Sequence, residues 1–231
     1  AAIAGLVIIG GVKRIGLFAS TLVPIMALIY LLSALIIVLM NINQVPEAFR
    51  IIVDSAFNGS AATGGFAGAT VLMAIRFGIA RGVFSNEAGL GSAPIAHAAA
   101  KTNSPVKQGT IAMLGTFFDT IIICSLTALV IVISGAWKNG DNGAVLTSNA
   151  FVYGLPAIGE YIVTICLILF AFTTIIGWSY YGERCSAYIF GTKAIKPYRI
   201  LWLISIVLGS YSLELGGSTA ESVNLIWLIA D

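Results

Sequence analysis

The chain has 231 residues, of which 58% are hydrophobic and only 10% charged, and its mean hydropathy is +0.98. A soluble globular domain carries about 25% charged residues, so this composition excludes a soluble enzyme or binding module and indicates an all-α, polytopic membrane protein. The formal net charge of +2 is small; the lipid bilayer is the expected partner, and nucleic acid is not.

Crossing about 30 Å of hydrocarbon takes a helix of about 20 apolar residues. Residues 1–11 are too short for this and read as the end of a longer helix. Residues 15–40 form an uncharged run long enough to span with some tilt. In residues 44–57, Val45, Phe49, Ile52, Val53 and Ala56 recur at helical spacing, which predicts an amphipathic helix at the membrane surface. Residues 69–101 are long enough for one crossing but carry polar residues at their middle. Residues 108–137 form a further span interrupted by Asp119, and residues 157–181 another, with Glu160 near its start. Residues 200–213 are shorter, and residues 219–231 again read as part of a helix. The two partial ends make the chain read as a piece of a longer, transporter-sized protein.

Between the spans, KTNSPVK and KNGDNG read as tight connections and GTKAIKPYR as a basic loop. Alternate connections hold Lys13, Arg14, Lys101, Lys107, Arg184, Lys193, Lys196 and Arg199, against only Arg50 and Lys138 on the opposite side. This excess places the first set in the cytoplasm, so that residues 15–40 run outward and 69–101 inward. Cys124, Cys166 and Cys185 form no C-x-x-C pair and have no His at metal-ligand spacing. They read as core thiols, and His97 as a packed or interfacial residue.

The stretch ARGVFSNEAGLGS, residues 80–92, places Arg81, Glu87 and Gly82, Gly89 and Gly91 where bilayer is expected. Each glycine costs a helix roughly 1 kcal/mol relative to alanine, and unpaired charges at that depth cost a few kcal/mol each. Asn86 or Ser85 followed by Glu87 has the form of an N-cap with an acid in the first turn. The pattern predicts a helix broken near residues 83–86 and restarting at Glu87. Unwound backbone at membrane depth survives where it is buried in protein or lines a cavity, and secondary transporters use such half-helix ends to hold solute and ion. A kinked helix in which Arg81 and Glu87 are merely salt-bridged is the plainer alternative.

Two other spans carry polar residues. In FFDTIIIC, Asp119 falls near mid-bilayer, with Arg76, Arg81 or a bound cation as candidate partners. In FAFTTIIGWSYYGE, Thr174 and Trp178 share a helix face at i, i+4, and Gly177 leaves space beside the indole. The hydroxyls of Thr173 and Thr174 can supply hard oxygen ligands for sodium, or they can bond their own backbone carbonyls. Ser92 and His97 are the one Ser/His pair near the interruption, but their i, i+5 spacing puts them on different faces, which argues against a hydrolase. A channel built around a broken helix is the other alternative.

MAIRFGIARGVFSNEAGLGSAPIAHAAAKT, PVKQG, FFDTIIIC and FAFTTIIGWSYYGE closely resemble the alanine or glycine:cation symporter family, the sodium:alanine symporters. The resemblance runs over essentially the whole chain. It implies the second inverted repeat, plus the end of the first, of a LeuT-like fold with a broken sixth core helix at 69–101; residues 108–137 would be the seventh core helix and 157–181 the eighth. The first repeat's broken helix, with its share of the ligands, would lie outside this chain. The implied function is sodium-coupled import of a small neutral amino acid, alanine or glycine, by alternating access in the inner membrane of a prokaryote. Phe84, Ser85, Asn86, Thr174 and Trp178 would bind substrate, Thr173 and Thr174 would hold sodium, and Arg81, Glu87 and Asp119 would serve ion pairing or coupling.

Overall fold

The computed structural model describes residues 2–57, 67–141 and 143–214, and every regular element among them is helical. In chain order these are α1 (Ala2–Ile9), α2 (Gly11–Met40), α3 (Val45–Phe57), α4 (Ala67–Asn86), α5 (Ala93–His97), α6 (Pro105–Ser134), α7 (Gly143–Gly154), α8 (Gly159–Phe190) and α9 (Ile195–Glu214). Three of them, α2, α6 and α8, are long and apolar enough to cross a membrane. Large apolar side chains such as Leu28, Leu39, Ile121 and Phe170 lie exposed along them. Water would penalise such a surface and lipid does not, so the chain is a multi-pass membrane protein.

Local chemistry explains most helix ends. Ser104 accepts the Lys107 N–H at 3.3 Å, and Pro105 occupies the first turn, so α6 starts three residues before the expected span. Gly135 ends it in the left-handed region at φ 71°. Within α6, residues Phe117–Cys124 are wound as a π-helix. α8 continues nine residues past the expected 181, because Glu183 is paired and buried rather than solvated. α9 likewise starts at Ile195 rather than 200. The expected partial helix at 219–231 lies outside the described residues.

Two elements depart further from expectation. α7 occupies a stretch that carries no expected element; at 12 residues it is too short to span, yet Ala150 and Phe151 are fully buried. α3 forms where the amphipathic pattern places it, but its faces divide: Ala48 is buried, Val45 and Ile52 pack on the core, and Phe49 and Val53 stay exposed. Cys166 is buried, whereas Cys185 is exposed, which corrects its reading as a core thiol.

The chain divides into two compact units, residues 24–169 and residues 1–23 with 170–231. The first is built on Ala34, Ile37, Val38, Leu129, Val130, Ile133, Ala150 and Phe151, contributed by α2, α6 and α7. Gly154 lets α7 approach α2, since a Cβ there would stand 2.6 Å from Ile37. Tyr30 donates its hydroxyl to Thr127 Oγ1 at 2.8 Å, and Thr127 in turn donates to the Ile123 carbonyl at 2.8 Å. The second unit joins α1 to α9 and the last part of α8, with Val7, Ile8, Ile176, Ser179, Tyr180 and Glu183 buried.

Candidate functional site

Between α4 and α5 the backbone leaves regular structure at a polar motif. Residues 83–86, expected to be unwound, are helical, and α4 continues to Asn86. Glu87, expected to open the next half-helix, instead adopts the left-handed conformation at φ 57° and terminates α4. The reason lies in the side chains: Asn86 Oδ1 accepts the Ala88 N–H at 3.0 Å, a local bond that competes with the next helical turn. Asn86 is therefore a terminating residue, not an N-cap. Gly89 then folds back so closely that a Cβ would lie 2.6 Å from Val83, and Gly91 supplies a φ of 76°. Ser92 donates to Glu87 Oε2 at 3.2 Å, and Pro94 sits in the first turn of α5. The interruption thus spans residues 87–92, about four residues later than expected.

What this geometry exposes is the C-terminal end of α4, whose last carbonyls have no intrahelical partner and whose dipole carries partial negative charge. The π segment of α6 runs beside it. Ser85 donates to Asp119 Oδ2 at 2.8 Å, Thr120 donates to the same oxygen at 3.4 Å, and Asn86 Nδ2 donates to Thr120 Oγ1 at 3.1 Å. Cys124 Sγ lies 3.9 Å from Ser85 Oγ. Consecutive residues of α4 therefore meet consecutive residues of the π segment. A wide π turn is a common device at functional sites. Asp119 takes its described hydrogen bonds from hydroxyls, and neither Arg76 nor Arg81, two of its candidate partners, is among them. Carboxylate and helix end together make a region that favours a positively charged group.

Phe84 borders this cluster and is exposed; Arg81 lies one turn earlier on α4. A cavity of about 700 Å³ adjoins it, lined by Asn86, Pro94, His97, Gln108, Ala112 and Thr116. Gln108 Nε2 approaches His97 Nδ1 at 2.7 Å, so the imidazole is held by an amide and Ser92 by Glu87. Thr120 and Gln108 were not singled out by sequence reasoning, and Cys124, read there as a core thiol, is half-buried beside Ser85. Thr120 adjoins Asp119 in the motif, but its pairing across 34 residues has no local signal.

The remaining expected site residues lie in the other unit, on α8. Thr173 Oγ1 donates to the Phe170 carbonyl at 2.9 Å, and Thr174 is half-buried. Trp178 meets Tyr181 edge-on with ring centroids 5.9 Å apart. A threonine hydroxyl that donates to a carbonyl keeps its lone pairs, so this bond leaves Thr173 able to accept a proton donor or ligate a cation.

The sequence pattern of the sodium:alanine symporter family matches residues 1–231. The chain is 48% identical over 229 residues to a protein of Methanococcus maripaludis named sodium/alanine symporter AgcS, covering 97% of this chain and 48% of that protein. It is 38% identical over 232 residues to the probable sodium/glutamine symporter GlnT of Bacillus subtilis, covering 100% and 46%. It is 52% identical over 229 residues to an uncharacterized transporter of Haemophilus influenzae, covering 98% and 48%. The chain thus spans about half the length of these curated relatives. Because the family pattern covers every residue, including the interrupted helix and the polar π segment, the chain belongs to the sodium:alanine symporter family.

Proposed function

We propose that the chain serves a secondary symporter in which sodium entry drives uptake of a small neutral amino acid, alanine or glycine, by alternating access. The observation that carries this reading is the Ser85–Asp119 bond of 2.8 Å, which joins the interrupted end of α4 to the π segment of the membrane-capable helix α6. A carboxylate beside a helix C-terminus suits an ammonium group or a sodium ion, and a zwitterionic amino acid travelling with sodium brings both. Ser85, Asn86 and Phe84 contact substrate in this reading, and Arg81, Glu87 and Asp119 balance charge during coupling. Thr173 and Thr174 supply oxygens to sodium, while Thr174 and Trp178 contact substrate and limit its size. In fold terms, α4 with α5 is the sixth core helix of a LeuT-like arrangement, α6 the seventh and α8 the eighth, with α1 the tail of the fourth. Bacterial and archaeal relatives support the cytoplasmic membrane of a prokaryote as the location.

The test is uptake of labelled alanine, glycine and glutamine by liposomes containing the full-length protein under an imposed sodium gradient. Saturable, sodium-dependent uptake with counterflow by unlabelled alanine is the expected result. Solute flux that needs no sodium and shows no counterflow would identify a channel instead.

A further inference from the structure

In the unit formed by α1, α9 and the last part of α8, Glu183 has a side chain only 4% exposed. It accepts a hydrogen bond from Arg184 Nη2 at 2.6 Å and another from Arg199 Nε at 2.6 Å. Arg199 Nη1 also donates to the Ile9 carbonyl at 3.0 Å, at the C-terminal end of α1. One guanidinium thus holds three helices. The neighbouring packing is equally tight. The phenol of Tyr198 sits against Gly182, where a Cβ would collide with its hydroxyl, and Gly11, at φ 68°, would bring a Cβ within 3.2 Å of Arg199 Nη2. Arg14 adds a bond to the Leu6 carbonyl at 3.3 Å.

A buried ion pair of this kind is weak evidence of added stability, because desolvating both charges offsets most of their attraction. What it does supply is geometry. A guanidinium is a rigid fork whose donors point in fixed directions, so Arg199 fixes Glu183 relative to α1 in both distance and angle. On α8, Ile176, Ser179, Tyr180 and Glu183 form the buried row, and Thr173 continues it one turn earlier at i−3 from Ile176. A helix transmits an axial position along its length, here over ten residues or about 15 Å. We infer that Arg199 is a positioning residue: by holding Glu183 and the Ile9 carbonyl together, it sets the axial register and rotation of α8, and so where Thr173, Thr174 and Trp178 stand. The functional half of this inference rests on the sodium role proposed for the threonines.

Arg199→Lys in the full-length protein is the decisive variant, because an ammonium keeps the charge but cannot serve both acceptors along the fork's two directions. Spin labels on Ile3→Cys in α1 and Tyr188→Cys in α8, whose native side chains are 67% and 90% exposed, report the distance in an otherwise cysteine-free background. Arg199→Lys should broaden that distance distribution. It should also raise the sodium concentration for half-maximal alanine uptake about tenfold, the scale of one lost charge-assisted hydrogen bond. Glu183→Gln should act in the same direction, and if it fails to fold the lysine variant carries the test. Wild-type distances in Arg199→Lys overturn the inference whatever transport does. Altered distances with unchanged sodium dependence overturn its functional half, provided that Thr173→Ala measured in parallel raises the sodium requirement. If Thr173→Ala has no effect either, the sodium reading has failed, and the distances alone decide the clamp.

Discussion

Replacing Asp119 by asparagine separates a structural from a functional role for the cluster beside α4. Asp119 Oδ2 receives one short bond, from Ser85 at 2.8 Å, and one long bond, from Thr120 at 3.4 Å. The long one counts for little. In Asp119→Asn the amide oxygen still accepts from Ser85, so a charged acceptor becomes a neutral one. That exchange costs about 1 kcal/mol, the difference between typical charged and neutral hydrogen bonds. A purely structural role therefore predicts at most about a fivefold change in any equilibrium. If the carboxylate meets the substrate ammonium or sodium, the variant loses a charge–charge contact as well, and half-saturation should rise by more than about tenfold. The assay is uptake by liposomes containing full-length protein, with alanine and sodium titrated separately, beside thermal unfolding of the purified variant. A small change in melting temperature with a large change in half-saturation is the expected result. Wild-type half-saturation for both alanine and sodium would refute the assignment of Asp119 to transport.

Other variants test the second group of residues. Thr173→Ala should raise the sodium concentration for half-maximal uptake about tenfold, since a buried partner is left unmet, while Thr174→Ala should alter both sodium and alanine dependence; flux measured against sodium at fixed alanine checks both. Trp178→Ala should weaken alanine uptake or admit larger side chains, read by competition with leucine and phenylalanine, and unchanged affinity and selectivity would make the indole a packing residue only. Gly182→Ala should destabilise the protein by about 1–3 kcal/mol, because its Cβ meets the Tyr198 hydroxyl. Adding Tyr198→Phe should restore part of that loss in a thermal melt.

Length and hydropathy made α2, α6 and α8 legible, because a long apolar run has few alternatives to a membrane helix. The interruption was legible in kind but not in place. Gly82 drew the expected break toward residue 83, yet that glycine keeps helical geometry, and the termination depends on Asn86 bonding forward to Ala88. α7 was missed because a 12-residue apolar stretch beside a turn-rich segment does not announce whether it is buried. The Asp119–Ser85 and Glu183–Arg199 pairs join residues 34 and 16 apart. Sequence shows the charges but not which partner the packing selects.

The π segment of α6 has a consequence for how the two ends of that helix are phased. Before it and after it, successive residues turn by about 100°, and a residue gained or lost anywhere in such a helix rotates everything beyond it by that amount. The eight residues Phe117–Cys124 wind more loosely, so they take up rotation that an α-helix would pass on. Within it, Asp119 and Thr120 are turned toward α4; downstream, Leu129, Val130 and Ile133 are turned into the hydrophobic core. Deleting a single isoleucine from Ile121–Ile123 should let the segment tighten into ordinary α-turns with its two flanks nearly in phase, whereas a deletion in the α-wound turns beyond Cys124 would swing the core-facing side chains out of register. The wide turn is in this sense a splice between two helical addresses, one written for polar partners and one for apolar ones.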